Sequence, residues 1–451
     1  MTSFNDLGLA EPLLRALSTE GYTTPTPIQA KAIPPVLAGR DLIGIAQTGT
    51  GKTAAFSLPL LQRLAASDKR AAPKSMRALI LTPTRELALQ IADSLATYGR
   101  HLQFRHTVIF GGVGQEPQVR SVARGIDIVV ATPGRLIDLM GQGHINVGSV
   151  ETFILDEADR MLDMGFIHDV KRVVAKLPKE RHTLFFSATM AGDVGKLAEG
   201  LLKDPVRVEV TPQATTAEKV EQSVIFAEKD EKRRLLLKLF EDPKLERAII
   251  FTRMKHGANR VSELLDKAGV PAAAIHGNKS QSARVRALED FRAGRIRALV
   301  ATDIAARGID VDGITHVINF ELPNVAEQYV HRIGRTARAG ATGIAIAFCD
   351  REERSYLRDI EKLIRMKLTP NAMEIPGPSA AELAAPRESR PPQHHRQGQQ
   401  QRQGQQPRRE DGNRPGNGQN RPRRRRGGGG GLNSGGAPAN ASRSSNGARP
   451  N

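Results

Sequence analysis

The sequence predicts an α/β protein of two domains, each a mostly parallel β-sheet flanked by helices, followed by a disordered basic tail. Three observations carry that expectation. Short apolar runs rich in β-branched residues alternate with helical patterns as far as residue 375, the rhythm of strands buried on both faces between crossover helices. Thr211 to Glu218 is short of bulky apolar residues and opens with Thr211-Pro212, which divides the pattern in two. From Pro376 to Asn451 there are 14 Arg, no Lys, four acidic residues and no Phe, Tyr or Trp, too little apolar surface to offset the entropy of ordering the chain.

The strands follow in order. Leu42 to Ile45, Ala78 to Leu81, Thr107 to Phe110, Asp127 to Ala131, Thr152 to Leu155 and Thr183 to Phe186 belong to the first half. Ser223 to Ala227, Ala248 to Phe251, Ala272 to Ile275, Ala298 to Ala301, His316 to Asn319 and Gly343 to Phe348 belong to the second. The resulting division is 1–208, a linker 209–218, a second domain 219–370 and the tail 371–451.

Composition narrows the function classes. The chain has 451 residues, with 66 Lys plus Arg against 48 Asp plus Glu, a formal charge of +18 that points to a polyanionic partner. The segment from Pro376 holds +10 of it, with Arg423 to Arg426 running into Gly427 to Gly431. The one cysteine, Cys349, excludes an internal disulfide and a cysteine metal cluster; it ends an apolar strand and reads as a small buried hydrophobe. Met1 to Ala10 lacks a basic region followed by an apolar run, and no stretch nears the ~20 apolar residues of a spanning helix, so the expectation is a soluble, cytoplasmic protein without membrane partners.

Polar residues crowd the positions just after the strands, where open α/β sheets bind ligands. Thr82-Pro83-Thr84-Arg85 and Thr132-Pro133-Gly134-Arg135 each offer a Thr cap, a Pro at the first helical position and an Arg at the positive helix end, a phosphate-binding arrangement. Asp156-Glu157-Ala158-Asp159, Ser187-Ala188-Thr189 and Thr302-Asp303 stand at other strand ends. After Leu42 to Ile45 comes Ala46-Gln47-Thr48-Gly49-Thr50-Gly51-Lys52-Thr53, then a helix toward Leu64. Its glycines let backbone N–H groups wrap phosphates, Lys52 reaches the β and γ phosphates, and the Thr53 hydroxyl can hold Mg²⁺. Asp156 can bind Mg²⁺ through water, and Glu157 beside it can orient or deprotonate an attacking water. In the second domain His331, Arg335 and Arg338 would share a face if helical, two arginines suited to act as fingers on a facing triphosphate. His101, His106 and His168 have no metal-ligand spacing.

These residues resemble the ordered motif set of DEAD-box RNA helicases. The stretches are Gly21 to Gln29, Ala46 to Thr53, Pro83 to Leu87, Gly111-Gly112, Thr132 to Arg135, Asp156 to Asp159, Ser187 to Thr189, Ala306 to Asp310 and His331 to Arg338, within about Phe4 to Phe348. The chain departs from the pattern at Ala337, where the last motif usually has Gly. Asp163 to Asp169, His276 to Gln281 and the basic tail look like the bacterial RhlE-type subgroup.

The resemblance implies two RecA-like domains closing on ATP, Mg²⁺ and RNA. It would place Phe4 and Gln29 on adenine and Thr48, Gly49, Thr50, Gly51, Lys52 and Thr53 on phosphates and Mg²⁺. It would give Asp156 the metal, Glu157 the water, Gly308 and Asp310 the sugar side, and Arg335 and Arg338 the γ phosphate. Asp159, Ser187, Thr189 and His331 would couple the ATP cleft to the RNA surface. Pro83, Arg85, Gly112, Thr132 and Arg135 would grip RNA from one domain, and Arg253, His276, Gly277, Gln281, Arg284, Thr302 and Asp303 from the other. A grip on phosphates carries little sequence specificity. A DNA translocase would share the P-loop and fingers, and a non-catalytic RNA chaperone would rest on the tail; the family motifs speak against the first, and intact Lys52, Glu157 and Arg335 against the second. The RNA target, in ribosome assembly or in an RNA-decay complex, is left open by the residues.

Overall fold

The structure is a computed structural model and describes residues 3–47, 49–190, 192–210, 220–306, 311, 313–337, 342–374 and 377. Residues 211–218 of the expected linker 209–218 and nearly all of the tail, with Thr48, Gly308, Asp310 and Arg338, lie outside the described residues.

Apolar runs buried on both faces become two seven-stranded sheets in which every pairing is parallel. The first contains β1 (Leu42–Ile45), β2 (Met76–Leu81), β3 (His106–Ile109), β4 (Ile126–Ala131), β5 (Thr152–Leu155), β6 (His182–Ser187) and β7 (Val206–Glu209), in the order β3-β4-β2-β5-β6-β1-β7. The second contains β8 (Val220–Phe226), β9 (Ala248–Phe251), β10 (Ala272–Ile275), β11 (Ala298–Ala301), β12 (His316–Asn319), β13 (Gly343–Cys349) and β14 (Thr369–Pro370), ordered β10-β11-β9-β12-β13-β8-β14. All twelve expected strands are present within a few residues of their expected ends. The two additions, β7 and β14, close one edge of each sheet.

Alternate side chains of the first sheet feed two apolar layers. Ile80, Ile128, Val130 and Leu184 face the helices Lys52–Ala65 and Arg85–Tyr98, while Leu79, Val129, Phe153 and Phe185 face the helix Pro133–Gly141 and its neighbours. Cys349 is buried at the end of β13 as a small hydrophobe. Among the described residues no helix is long and apolar enough to cross a membrane.

Gly44 of β1 lies beside Phe186 of β6, and a Cβ there would sit 2.5 Å from the ring. Gly44→Ala should therefore overpack the layer under the phosphate loop and lower stability by about 1–3 kcal/mol. A urea-denaturation midpoint equal to that of the parent chain would contradict this close approach.

Candidate functional site

The phosphate-binding loop leaves the C-terminal end of β1 and enters the helix Lys52–Ala65, whose N-cap Gly51 has φ 93°. That left-handed geometry favours glycine, and a Cβ on Gly51 would collide with the Gln29 amide, so the backbone lies open there. Gln29 accepts from the Thr26 N–H at 2.9 Å and donates to the Gly51 carbonyl at 3.2 Å, tying the helix Pro27–Leu37 to the loop. Thr50 donates its hydroxyl to the Gln47 carbonyl at 2.7 Å, and buried Lys52 donates to the Ala46 carbonyl at 2.8 Å. Phe4, Gln29, Gly49, Gly51, Lys52 and Thr53 line one cleft of about 480 Å³, with Asp156 and Glu157 at its floor and Arg292 of the second domain at its rim.

Asp156 and Glu157 follow β5. The Glu157 N–H donates to Asp156 Oδ1 at 3.0 Å, and Glu157 adopts φ 55°, a strain of about 1–3 kcal/mol kept at the floor of the cleft. Burial pushes the Asp156 carboxyl up to about 7 against the pull of Lys52. Burial also acts to raise Glu157, but Arg160, Lys52 and Arg335 outweigh it and hold that carboxyl below the usual range. Arg160 makes the direct ion pair, at 2.9 Å. Arg335 thus brings positive charge from the second domain to the acidic floor of the first. The Asp159 N–H donates to Ser187 Oγ at 3.3 Å, joining the ends of β5 and β6, while Thr189 is exposed.

An anion cradle, a buried ammonium and two carboxylates fit a nucleotide triphosphate with a hard cation, since the Thr53 hydroxyl and Asp156 carboxylate supply oxygen donors of the type Mg²⁺ prefers. Among the described residues no group of three or more His, Cys, Asp or Glu side chains could hold a metal by itself. A cation here would share its coordination with phosphates and water.

The outer face shows both agreement and correction. Thr132 holds the N-cap position of a helix with Pro133 first, as expected, though its hydroxyl makes no cap bond; after Thr82-Pro83 the helix starts at Arg85 and Thr84 is the cap, accepting from the Leu87 N–H at 3.3 Å. Arg85 and Arg135 lie close together, with Gly112 against the Arg85 guanidinium; burial and the cations Arg284 and Arg135 lower the Arg85 pKa. Arg135 donates to the Val113 carbonyl at 3.0 Å. Gln281 and Arg284 hold partners across the domains. Arg284 pairs with buried Glu86 at 2.9 Å, and Gln281 donates to Glu86 at 3.2 Å and accepts from Arg85 at 3.4 Å, so they bridge the two domains. Glu86 was quoted in the motif but given no role by sequence reasoning.

The second domain repeats this outcome. Both Asp303 carboxylate oxygens accept from Arg332, at 2.6 and 2.7 Å, so Asp303 anchors that arginine. Arg332 also donates to Asn319 and to the Glu321 carbonyl and lies 5.0 Å from the Phe251 ring centroid. Sequence reasoning passed over this residue because it looks away from the His331 face. His276 is buried between Asn259 and the Asn278 N–H, and burial lowers its pKa, so it too is internal. Arg253 is held by Glu321, Asn324 and Glu353. Gly277 is open to solvent, and Thr302 is half-buried at the end of β11. The helix Ala326–Ile333 ends before Arg335, so His331 and Arg335 do not share a helix face; Arg335 lies beyond the C-cap Gly334 and donates back to the His331 carbonyl at 3.3 Å.

Comparison with known proteins agrees with this geometry. Residues 26–197 match the family model described as DEAD/DEAH box helicase, and residues 231–340 match the helicase conserved C-terminal domain. The DEAD-box ATP-dependent RNA helicase CshA of Bacillus cereus is 41% identical over 368 residues, covering 82% of this chain and 69% of that protein. The ATP-dependent RNA helicase DeaD of Klebsiella pneumoniae is 43% identical over 387 residues, covering 86% of this chain and 59% of its own. Among solved structures, S. cerevisiae Dbp5 bound to RNA and ADP BeF3 superposes with a TM-score of 0.72 at 31% identity, covering 82% of this chain and 96% of that one.

Proposed function

Because the chain belongs to the DEAD-box family of ATP-dependent RNA helicases, we propose that its two domains clamp an RNA backbone, separate short duplexes locally and are reset when ATP is hydrolysed to ADP and phosphate. The observation that carries the reading is one cleft lined by Lys52, Asp156 and Glu157 of the first domain, with the charge of Arg335 from the other domain acting on the Glu157 carboxyl. In this reading Phe4 and Gln29 hold adenine, Thr48 to Thr53 hold phosphates, and Glu157 takes a proton from the attacking water. Bound Mg²⁺ supplies charge neutralisation at the β and γ phosphates, held through Thr53 and Asp156. Arg335 and Arg338 serve the γ phosphate, and Gly308 and Asp310 the sugar. Pro83, Arg85, Gly112, Thr132 and Arg135 grip RNA from the first domain; Arg253, His276, Gly277, Gln281, Arg284, Thr302 and Asp303 do so from the second. Asp159, Ser187, Thr189 and His331 couple the two sites. We place the domain boundary within 209–218, an RhlE-like subgroup, a cytoplasmic location and a role in ribosome assembly or RNA decay in the same reading. ATPase assays of the purified chain with RNA, with DNA and with neither test it: stimulation by DNA as strong as by RNA would favour a translocase instead.

The tail gives a separate expectation. Its 14 arginines among Gly, Gln and Pro can track a flexible phosphate backbone, releasing counterions with a salt slope of about −0.7 per phosphate on single strands. Deleting residues 376–451 should weaken RNA binding most at low salt and without ATP, and flatten the plot of log affinity against log salt, while the maximal ATPase rate holds. Filter binding across a salt series reads this; equal slopes for the two chains would make the tail a spacer or a protein-docking segment.

A further inference from the structure

The helix Arg354–Ile364 buries Leu357 and Ile360 against the second domain and turns a basic face outward. Arg354, Arg358 and Lys362 are four residues apart, so they stack on one face about 6 Å apart along the axis, and Arg365 follows at the helix end as the C-cap. All four are exposed, and Arg358, Lys362 and Arg365 pair with no other described residue. The acids of the helix leave the column charged: Asp359 borders it unpaired, and Glu361 accepts from the Leu368 N–H at 3.1 Å. At the head of the column the Arg354 guanidinium lies 4.6 Å from the ring centroid of Phe226, the last residue of β8, which is 40% exposed.

A row of cations alone is a solvated face. A row that begins at an exposed aromatic ring stacked with a guanidinium is what single-strand binders use, a flat surface for bases followed by charges at the spacing of an extended backbone. The same helix is continuous with the RNA grip proposed above. Its N-cap Glu353 pairs with Arg253 at 3.3 Å, and the Arg253 guanidinium lies 5.9 Å from the Tyr356 ring centroid.

We propose that Phe226, Arg354, Arg358, Lys362 and Arg365 form a second subsite for single-stranded RNA outside the cleft, taking the strand that leaves the second domain. It rests on the reading of the chain as an RNA-dependent ATPase. The subsite stacks one or two bases on the Phe226–Arg354 platform and follows the phosphates along the helix, so it adds affinity for longer RNA without sequence preference.

The test uses the full chain and three variants: Phe226→Ala; the triple Arg358→Gln, Lys362→Gln, Arg365→Gln; and a triple of equal charge change on the first domain, Lys171→Gln, Arg172→Gln, Lys176→Gln. Fluorescence anisotropy measures binding of oligouridylates of about 8 and about 24 nucleotides across a salt series, the shorter matching a single site. ATPase is read in parallel, and thermal melts check folding. On the longer RNA the helix triple should bind about tenfold more weakly and flatten the salt slope by about 2, from three phosphates at about 0.7 each. Phe226→Ala should lose about fivefold, the expected effect of one stacked base. The shorter RNA, the maximal ATPase rate and the first-domain triple should change by less than about twofold. Equal losses on both lengths, or a helix triple no different from the first-domain triple, would overturn the proposal and leave the face to an acidic protein partner. A parent chain that binds RNA without RNA-stimulated ATPase would instead overturn the proposed function, while the anisotropy result still decides the subsite.

Discussion

Glu157→Gln should leave the chain able to bind ATP and RNA while its turnover falls by about 10²- to 10⁴-fold, the usual contribution of a positioned general base. Glu157 is buried at the floor of the cleft, and Arg160, Lys52 and Arg335 hold its carboxyl below the usual range, so it is charged at neutral pH and ready to accept a proton. The amide keeps the size and the left-handed backbone is unaltered, but it cannot take a proton from water. The Arg160 ion pair at 2.9 Å is lost as well, and for that reason the folded fraction must be checked by melting before rates are compared. Lys52→Ala is the contrasting variant. Its ammonium points into the phosphate loop, where it donates to Ala46, so its loss should raise the ATP concentration needed for half-saturation. Single-turnover hydrolysis and equilibrium nucleotide binding separate the two effects; a Glu157→Gln chain that turns over at near the parent rate would remove Glu157 from the chemistry.

Much of this architecture was legible because buried parallel strands have an unmistakable composition. Val129 and Val130 in β4 or Leu299 and Val300 in β11 are apolar without alternation, since both faces of the sheet are covered. The two missed strands lack that signature. Val206–Glu209 alternates apolar and charged residues because it is an edge with one wet face, and Thr369–Pro370 is two residues long and includes a proline. Helix limits failed for a local reason. Thr84, not Thr82, supplies the capping hydroxyl, and the turn Gly334 ends the last helix before Arg335 can join it.

At the site, residues whose partners are near in sequence were readable, and residues defined by distant partners were not. Lys52 and Gly51 act within one loop, so their spacing alone reveals them. Glu86 meets Arg284 and Gln281 from nearly 200 residues away, and Arg332, on the helix Ala326–Ile333, meets Asp303 from 29 residues away. Two arginines read alike in sequence; only the fold shows that Arg332 is anchored on Asp303 while Arg335, also buried, acts on the Glu157 carboxyl of the first domain. The same limit hides from sequence the protein partners that His276, Gln281, Arg284 and Asp303 also hold.

Replacing Arg335 should have the second large effect, because it tests whether catalysis needs the two domains together. Arg335 is buried and its charge lowers the Glu157 carboxyl of the opposite domain, and the proposed function gives its guanidinium the charge that develops on the γ phosphate during transfer. An arginine in that position contributes roughly 10³- to 10⁵-fold to turnover in NTPases. Arg335→Ala should therefore lose at least about 10³-fold of the RNA-stimulated rate. Nucleotide affinity should hold within a few-fold, because the Gln29, Gly51 and Lys52 cradle belongs wholly to the first domain. Arg335→Lys should recover little, since a point charge cannot reproduce a planar fork of donors. A fragment ending near Pro212 extends the same logic: it keeps all seven strands of the first sheet with Asp156 and Glu157 and lacks Arg335 altogether. Isothermal titration should find it competent for ATP, and a phosphate-release assay should find no stimulation by RNA. Full RNA-stimulated release from the fragment would show that Arg335 is not needed for turnover, and the cleft would then have to be read as a one-domain ATPase site.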